Sequence, residues 1–421
     1  MKFGKRWSAA VLAALLTCTL PGCAHAGTAV LAGEKPQMPA EDYWQAEAEP
    51  ALCSAMEEFT GRSGALVLLS GENICYSPVS LYYALAMTAS GAAGQTEAEL
   101  LGVLGVEDAA ELPGQMKTLY QALYRDEKHC RVYLANSLWM REGVDFYDSF
   151  TAGAAKDFYA GCYTLDFEAP RAADAMSDWV NEQTRGLLQP KIQLQPETIL
   201  VLLNTVYFKA NWVDAFDAGQ TREEPFYRTA EDAAACDFMH SSTCGDAVAA
   251  EGYTLASIPF EGDVEMFFLL PDENKSIESL LAEHDLSNLL DMGSAQYRNI
   301  EWSIPKFSVH SDMDLRPVLE ALGVKEAFVP GTADLSRMCD LSTLPGGTAY
   351  LSEVKQGTAF SIDEEGAEAA AYTEIAVGSG SAAPPDETIT MTLNRPFLYG
   401  LRDERTGVVL FLGRMDDPAR T

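Results

Sequence analysis

The order of the periodic signals constrains this chain more than any single motif. From Pro50 to Arg414 apolar residues recur at helix or strand spacing almost without a break, helices dominating the first half and strands the second. Residues 51–60, 119–124 and 173–184 carry the spacing of amphipathic helices. Residues 80–90 (SLYYALAMTAS) are apolar on nearly every face, as a buried helix requires. Strand-like runs cover 131–138, 198–208, 255–260, 264–270, 300–304, 397–401 and 408–412, the last two separated by a turn at 403–407. A doubly wound sheet needs strands and helices to alternate regularly. Here they do not, so the expected class is α+β.

Composition narrows the function. Of 421 residues 48% are hydrophobic, too many for a disordered acidic chain, so a large core is expected. The 62 acidic against 29 basic side chains leave a net charge of −33, and no run of Lys and Arg offsets that field. Nucleic acid and anionic membrane surfaces are therefore excluded as partners. Catalytic signatures are missing: there is no His-Glu-x-x-His, no Gly-x-Ser-x-Gly, no phosphate loop and no Gly-x-Gly-x-x-Gly after a strand. His129, His240, His284 and His310 have no recognisable acid or nucleophile partner in the sequence. The nine cysteines are scattered, with no Cys-x-x-Cys and no His at zinc-ligand spacing. Neither a metal nor a cofactor is expected, and most of the thiols read as small buried hydrophobes. Cys236 and Cys244 are a candidate disulfide in an oxidising compartment.

The amino terminus reads as an address rather than as structure. Lys2, Lys5 and Arg6 precede an apolar stretch at 8–20, shorter than the ~20 residues a bilayer span needs, so residues 1–22 are expected to be an export signal. Leu20-Pro21-Gly22-Cys23 resembles a bacterial lipobox, which would make Cys23 the lipidated first residue. Ala24-His25-Ala26 offers ordinary cleavage as the alternative. Residues 23–47, rich in Ala, Gly, Pro and Glu, read as a surface tether. The expected location is extracellular or on the surface of a bacterium, with the lipid as the only contact with membrane.

One segment supports two incompatible readings. Residues 361–377 are SIDEEGAEAAAYTEIAV. By propensity, the Ala- and Glu-rich stretch 367–372 is helical. Read with period two, Ala367, Ala369, Ala371, Thr373, Ile375 and Val377 share one face, opposite Glu368, Ala370, Tyr372, Glu374 and Ala376. That is a small-to-apolar face against a partly charged one, as a half-buried strand needs. Gly366 at the head of the segment supplies the backbone freedom to swing between the two. The plainer alternative is an exposed helix followed by a Gly/Ser linker.

Glu364-Glu365-Gly366-Ala367-Glu368-Ala369-Ala370-Ala371 resembles the reactive-loop hinge of the serpins. Other blocks follow in that family's order: Asn73-Ile74-Cys75-Tyr76-Ser77-Pro78-Val79-Ser80, then Leu202-Leu203-Asn204-Thr205-Val206-Tyr207-Phe208-Lys209-Ala210-Asn211-Trp212 with Phe216 and Thr221. Ile304-Pro305-Lys306-Phe307, Leu322-Gly323-Val324, Arg395-Pro396-Phe397 and Phe411-Leu412-Gly413-Arg414 complete the series. The resemblance runs from about residue 50 to 418 and implies one unit at 48–418, with three β-sheets, eight or nine helices and an exposed reactive loop at about 364–390.

What the resemblance implies is suicide inhibition of a serine protease rather than an enzyme. The target attacks a bond in the loop, and before hydrolysis completes the cleaved loop enters the main sheet as an added strand. Ser77, Ser80 and Asn204 resemble the shutter where that sheet parts, and Trp212 the breach where entry begins. Gln356 stands where the family often has a shutter histidine. Counting forward from Glu364 by the family's loop length gives a scissile bond at Gly380-Ser381, within a range from Val377 to Ala383. Counting back from Pro396-Phe397 instead lands near Pro385, so the loop carries extra residues. Residues 377–383 include no Lys or Arg, so an elastase-like or subtilisin-like pocket fits better than a trypsin-like one, and a cysteine protease is a further candidate. A monomer is expected. The rival is a non-inhibitory binding or chaperone protein on the same fold.

Overall fold

The computed structural model describes residues 28–31, 46–367 and 387–420. Among the described residues are the helices α1 (Pro50–Val67), α2 (Pro78–Gly91), α3 (Gly94–Leu104), α4 (Leu112–Leu123), α5 (Asp148–Asp157), α6 (Ala172–Gln183), α7 (Ile277–Glu283), α8 (Leu286–Leu289) and α9 (Arg316–Leu322). An eight-stranded sheet is ordered β1 (Thr28–Leu31), β5 (Ala160–Leu165), β4 (Cys130–Arg141), β6 (Leu200–Asn211), β14 (Gly366–Ala367), β13 (Lys355–Ile362) and β12 (Phe307–Asp314), with β3 (Arg125–Asp126) beside β4. A nine-stranded sheet runs β15 (Thr388–Thr392), β11 (Gln296–Pro305), β8 (Asp232–Ala250), β9 (Tyr253–Phe260), β10 (Val264–Pro271), β16 (Phe397–Asp403), β17 (Val409–Met415) and β2 (Ile74–Tyr76), with β7 (Arg222–Thr229) on β8. The α+β expectation holds. Where three sheets were expected, the 19-residue β8 pairs with β11 along its middle and with β9 at its end, joining two of them into one.

Helix α2 is the hub. The Ser77 side chain caps its first turn by accepting from the Ser80 amide, and Pro78 sits where a missing N–H costs nothing. Its apolar sequence is buried almost all round because it touches β6 of one sheet and β17 of the other. On the opposite face of the large sheet α6 buries Met176 and Trp179 in a second cluster with Trp139, against which Val201 and Leu203 of β6 pack. β6 is thus covered on both faces along its lower half.

One expectation is corrected, and one open candidate is closed. Thr28–Leu31, inside the stretch read as a tether, pairs antiparallel with β5 and extends the large sheet. A short apolar run in an Ala/Gly/Pro-rich stretch is invisible to composition, yet it can satisfy the open edge of β5. Cys236 and Cys244 are free thiols on one strand, β8, separated by roughly 26 Å of extended chain. They do not pair. Residues 1–22 lie outside the described residues, as does most of 23–47. Among the described residues no helix is long and apolar enough to cross a membrane, and no group of His, Cys, Asp and Glu could hold a metal ion.

Candidate functional site: a slot between β6 and β13

β6 and β13 flank a gap that, among the described residues, only the two residues of β14 bridge. Gly366 pairs with Asn211, and Ala367 pairs with Ala210 on one side and Ile362 on the other. Below them opens a cleft of about 530 Å³ between Leu202 and Asn204 on one bank and Gln356 and Thr358 on the other, floored by Ser80 and Ala84 of α2. A smaller cleft of about 60 Å³ continues it upward past Val206, Phe208 and Ala359. Residues 187–193, which follow α6, line the cleft as a strap. Just ahead of the strap Arg185, at φ +52°, lays its guanidinium over the rings of Tyr133 and Tyr207, 5.4 and 5.5 Å from their centroids. This cation–π contact pins the strap to β4 and β6.

The upper end of the slot is fastened. The Asp363 carboxylate accepts from the amides of Glu365 (2.9 Å) and Gly366 (3.3 Å), and the Asp363 amide donates to the Gly366 carbonyl (2.9 Å). Trp212 donates its indole N–H to the Asp363 carbonyl (2.9 Å) and its amide to the Glu365 carbonyl (3.0 Å). Its ring stacks on Phe260 at 4.0 Å. Lys306 Nζ lies 2.8 Å from Glu364 Oε2, and Thr221 donates to Glu364 Oε1 at 2.7 Å. Burial pushes the Glu364 carboxyl up, but the bonds from Lys306 and Thr221 outweigh it and hold the group below its ordinary value. The same contact, above all the hydrogen bond to Glu364, raises the Lys306 ammonium. Gly366 is a glycine for closeness of approach: a Cβ there would meet the Ala210 carbonyl oxygen at 2.0 Å. Ala367 is already inside the sheet, 2% exposed.

The middle of the slot is held differently. Six residues below Ala210 and Ile362 stand Asn204 and Gln356, facing each other across the gap. The Gln356 side chain grips one residue of the floor twice, accepting from the Ser77 amide (2.7 Å) and donating to the Ser77 carbonyl (2.9 Å). Ser77 Oγ donates to the Leu410 carbonyl (2.8 Å), tying the floor to the nine-stranded sheet. Asn204 donates to the Asn136 Oδ1 of its β4 partner, and Asn136 passes the chain on to the Phe158 carbonyl (2.7 Å). The Asn204 Oδ1 itself is buried without a hydrogen-bond partner among the described residues. A buried amide oxygen left bare in a gap between strands is a place where a third strand could bond.

A family model described as Serpin (serine protease inhibitor) matches residues 63–418. The chain belongs to the serpin family. An uncharacterized serpin-like protein of Thermococcus kodakarensis is 29% identical over 380 residues, covering 88% of this chain and 86% of that one. Serpin-Z2A of Triticum aestivum is 30% identical over 370 residues, 84% of this chain and 92% of its own. Among solved structures the native state of the thermophilic serpin tengpin superposes with a TM-score of 0.77 at 26% identity, covering 89% of this chain and 98% of that one. The family is one of protease inhibitors, not of enzymes.

In this serpin the structure brings Ser77, Ser80, Asn204 and Gln356 to one stretch of the slot and sets Trp212 at its upper end, with Glu364 and Glu365 beside it. Glu368, Ala369, Ala370, Ala371, Gly380 and Ser381 (with the whole range Val377 to Ala383) lie outside the described residues, and so does Cys23. Sequence reasoning missed Asp363 and the Lys306–Glu364–Thr221 group, although Lys306 and Thr221 stood in quoted blocks. It also missed Asn136 and Arg185. The histidines read as partnerless do find neighbours: His240 Nε2 is 3.2 Å from Glu224, and His129 Nδ1 is 3.1 Å from the Asn211 amide nitrogen at the breach.

Proposed function

We propose that this serpin is a suicide inhibitor of serine proteases with elastase-like or subtilisin-like pockets, trapping them as acyl-enzymes by inserting its cleaved loop between β6 and β13. The observation that carries the reading is the register already started by β14. Ala367 stands opposite Ala210 and Ile362. Ten further residues at that register would bring Val377 level with Leu200, the first residue of β6, so the period-two segment matches the slot in length. Ala369, Ala371, Thr373, Ile375 and Val377 would follow Ala367 onto the buried face, and Glu368, Tyr372 and Glu374 would face outward. Thr373 would fall between Asn204 and Gln356, where its hydroxyl could donate to the bare Asn204 oxygen. Gly380 would come level with Glu197, just past the end of the slot. A target esterified to Gly380 would then be dragged the full length of the sheet.

Small residues at 377–383 support a target whose pocket takes small side chains, and speed is supported by the alanines that lead the inward face. An inward charge would have to be desolvated at a cost of several kcal/mol. Export of a monomer by residues 1–22, with a lipid on Cys23 as its membrane contact, belongs to the same reading. The test is a gel assay against elastase-like, subtilisin-like and cysteine proteases. A detergent-resistant complex and a released peptide beginning at Ser381 are expected. Quantitative cleavage with no complex against every enzyme tried would favour the non-inhibitory reading.

A further inference from the structure

The strand β1 fixes where the amino terminus leaves the body. Its register puts Thr28 opposite Thr164 of β5, and β5 runs beside β4 so that Thr164 is level with Met140, itself opposite Leu200 of β6. Gly366, at the other end of the sheet, is level with Asn211. From Leu200 to Asn211 the sheet spans roughly 36 Å at about 3.3 Å per residue. The chain therefore departs at the pole farthest from the loop hinge, and only five peptide steps, at most about 18 Å fully extended, separate Thr28 from Cys23.

We propose that the lipid on Cys23 holds this serpin by that pole, so that the pole marked by Thr28, Thr164 and Glu168 faces the bilayer and the loop hinge points away from it. This rests on the reading of Cys23 as the lipidated residue. The partner surface is the membrane reached through the chain's own acyl groups, and an acidic body has no need to adhere to it otherwise. The short link matters because a longer one would let the body tumble. A protease caught on the outer side would, by the insertion register above, be carried to the membrane-facing pole.

The acylated full chain, purified from membranes and bound to phosphatidylcholine vesicles carrying a short-range headgroup quencher, tests this. In a Cys53→Ala, Cys244→Ser background one fluorophore goes on Glu168→Cys, beside Arg141 at the end of β4, and in a second variant on Asp214→Cys, just beyond Trp212. Quenching several-fold stronger from position 168 than from position 214 is expected. Equal or reversed quenching in vesicle-bound protein would overturn the orientation while leaving the anchor intact. Failure of the purified chain to bind vesicles at all would overturn the anchor reading and the orientation with it. Inserting 20 Gly/Ser residues between Gly27 and Thr28 should keep vesicle binding and erase the difference, because such a linker wanders over about 25 Å or more. A difference that survives the insertion would show that β1 is not what orients the body, and would also overturn the proposal.

Discussion

The two ends of the slot are built from opposite materials. At the top, Asp363, Trp212, Thr221, Lys306 and Glu364 close on one another within 3.0 Å or so, and every carbonyl and amide named there has a partner. Six residues lower, Asn204 and Gln356 face each other across a gap that no other described residue fills, and among the described residues the Asn204 oxygen is bare. The upper contacts hold β14 in a fixed register. The lower contacts, such as Gln356 on Ser77, hold each bank to the floor and do not tie the banks to each other. A sheet fastened at one end and unpaired below can accept a strand in one register only, entering from the fastened end.

The largest effect should come from filling the lower region. About ten residues that gain strand neighbours on both sides, at 0.2–1 kcal/mol per cross-strand pair, amount to several kcal/mol or more, enough to raise Tm by roughly 10 °C or more. Protein cut in its loop should therefore melt well above intact protein in calorimetry. Identical melting would mean the gap is not filled after cleavage, and the contrast between the two ends would lose its meaning.

Next in size is a charge placed where the open region begins. Ala367, the first inward residue by sequence, is already buried in the intact sheet, so substituting it would damage the uncleaved protein as well. Ala369→Arg is the sharper variant. Carrying an unpaired cation under the strands costs several kcal/mol, and each 1.4 kcal/mol slows a step about tenfold. Insertion should fall a hundredfold or more behind deacylation, turning inhibitor into substrate with the cleavage site unchanged. Glu368→Arg, on the outward face, should inhibit nearly as the parent does. An Ala369→Arg protein that still forms full complex would sink the insertion register.

Gln356 separates bank from floor. Gln356→Leu leaves the amide of buried Ser77 without a partner and its carbonyl with only the Leu81 amide (3.3 Å), a loss of about 1–3 kcal/mol. Urea unfolding should show this as a lower midpoint. Gln356→Glu keeps an acceptor for the Ser77 amide but sets a buried carboxylate against the Ser77 carbonyl. At pH 7 it should therefore cost at least as much as Leu, and part of that loss should return when acid protonates it. If neither variant lowers the midpoint, the two-point grip on Ser77 is not what holds β13 to α2.

Much of this was legible in the chain because serpin motifs are local: Ser77-Pro78 announces a capped helix, and alternation at 367–377 announces a strand long before a slot is seen. The strand runs and α2 were found within a few residues. What stayed hidden depends on chain segments far apart. Nothing in Lys306 or Thr221 points to Glu364, since their meeting depends on β12 following β11 across a corner while the hinge turns back at Asp363. The exposed hairpin β7–β8 was missed because its solvent-facing residues dilute the apolar signal. Thr28–Leu31 was missed because four residues carry no period. The close approach of Gly366 to Ala210 was missed as well, since closeness across a sheet cannot be read from a sequence.

The smallest effect lies at the fastened end and is separable by pH. The Glu364 carboxyl is held below its ordinary value of 4.5, so its contribution to stability is fully present above that value and is lost as pH falls through the lowered folded value. Glu364→Gln keeps the shape and can still accept from Thr221, but it cannot pair with the Lys306 ammonium. Lys306 is 37% exposed, which screens the pair and limits the loss to about 1 kcal/mol. Unfolding free energies of the parent and Glu364→Gln should therefore differ by about that much at pH 7. The gap should shrink as pH drops below 4.5 and close once the parent carboxyl is protonated. A gap that stayed constant down to pH 3 would mean the loss comes from packing rather than charge. A stability gap with an unchanged inhibition rate would place the fastening in the intact molecule alone, whereas faster insertion in the variant would show that the top of the slot also restrains entry.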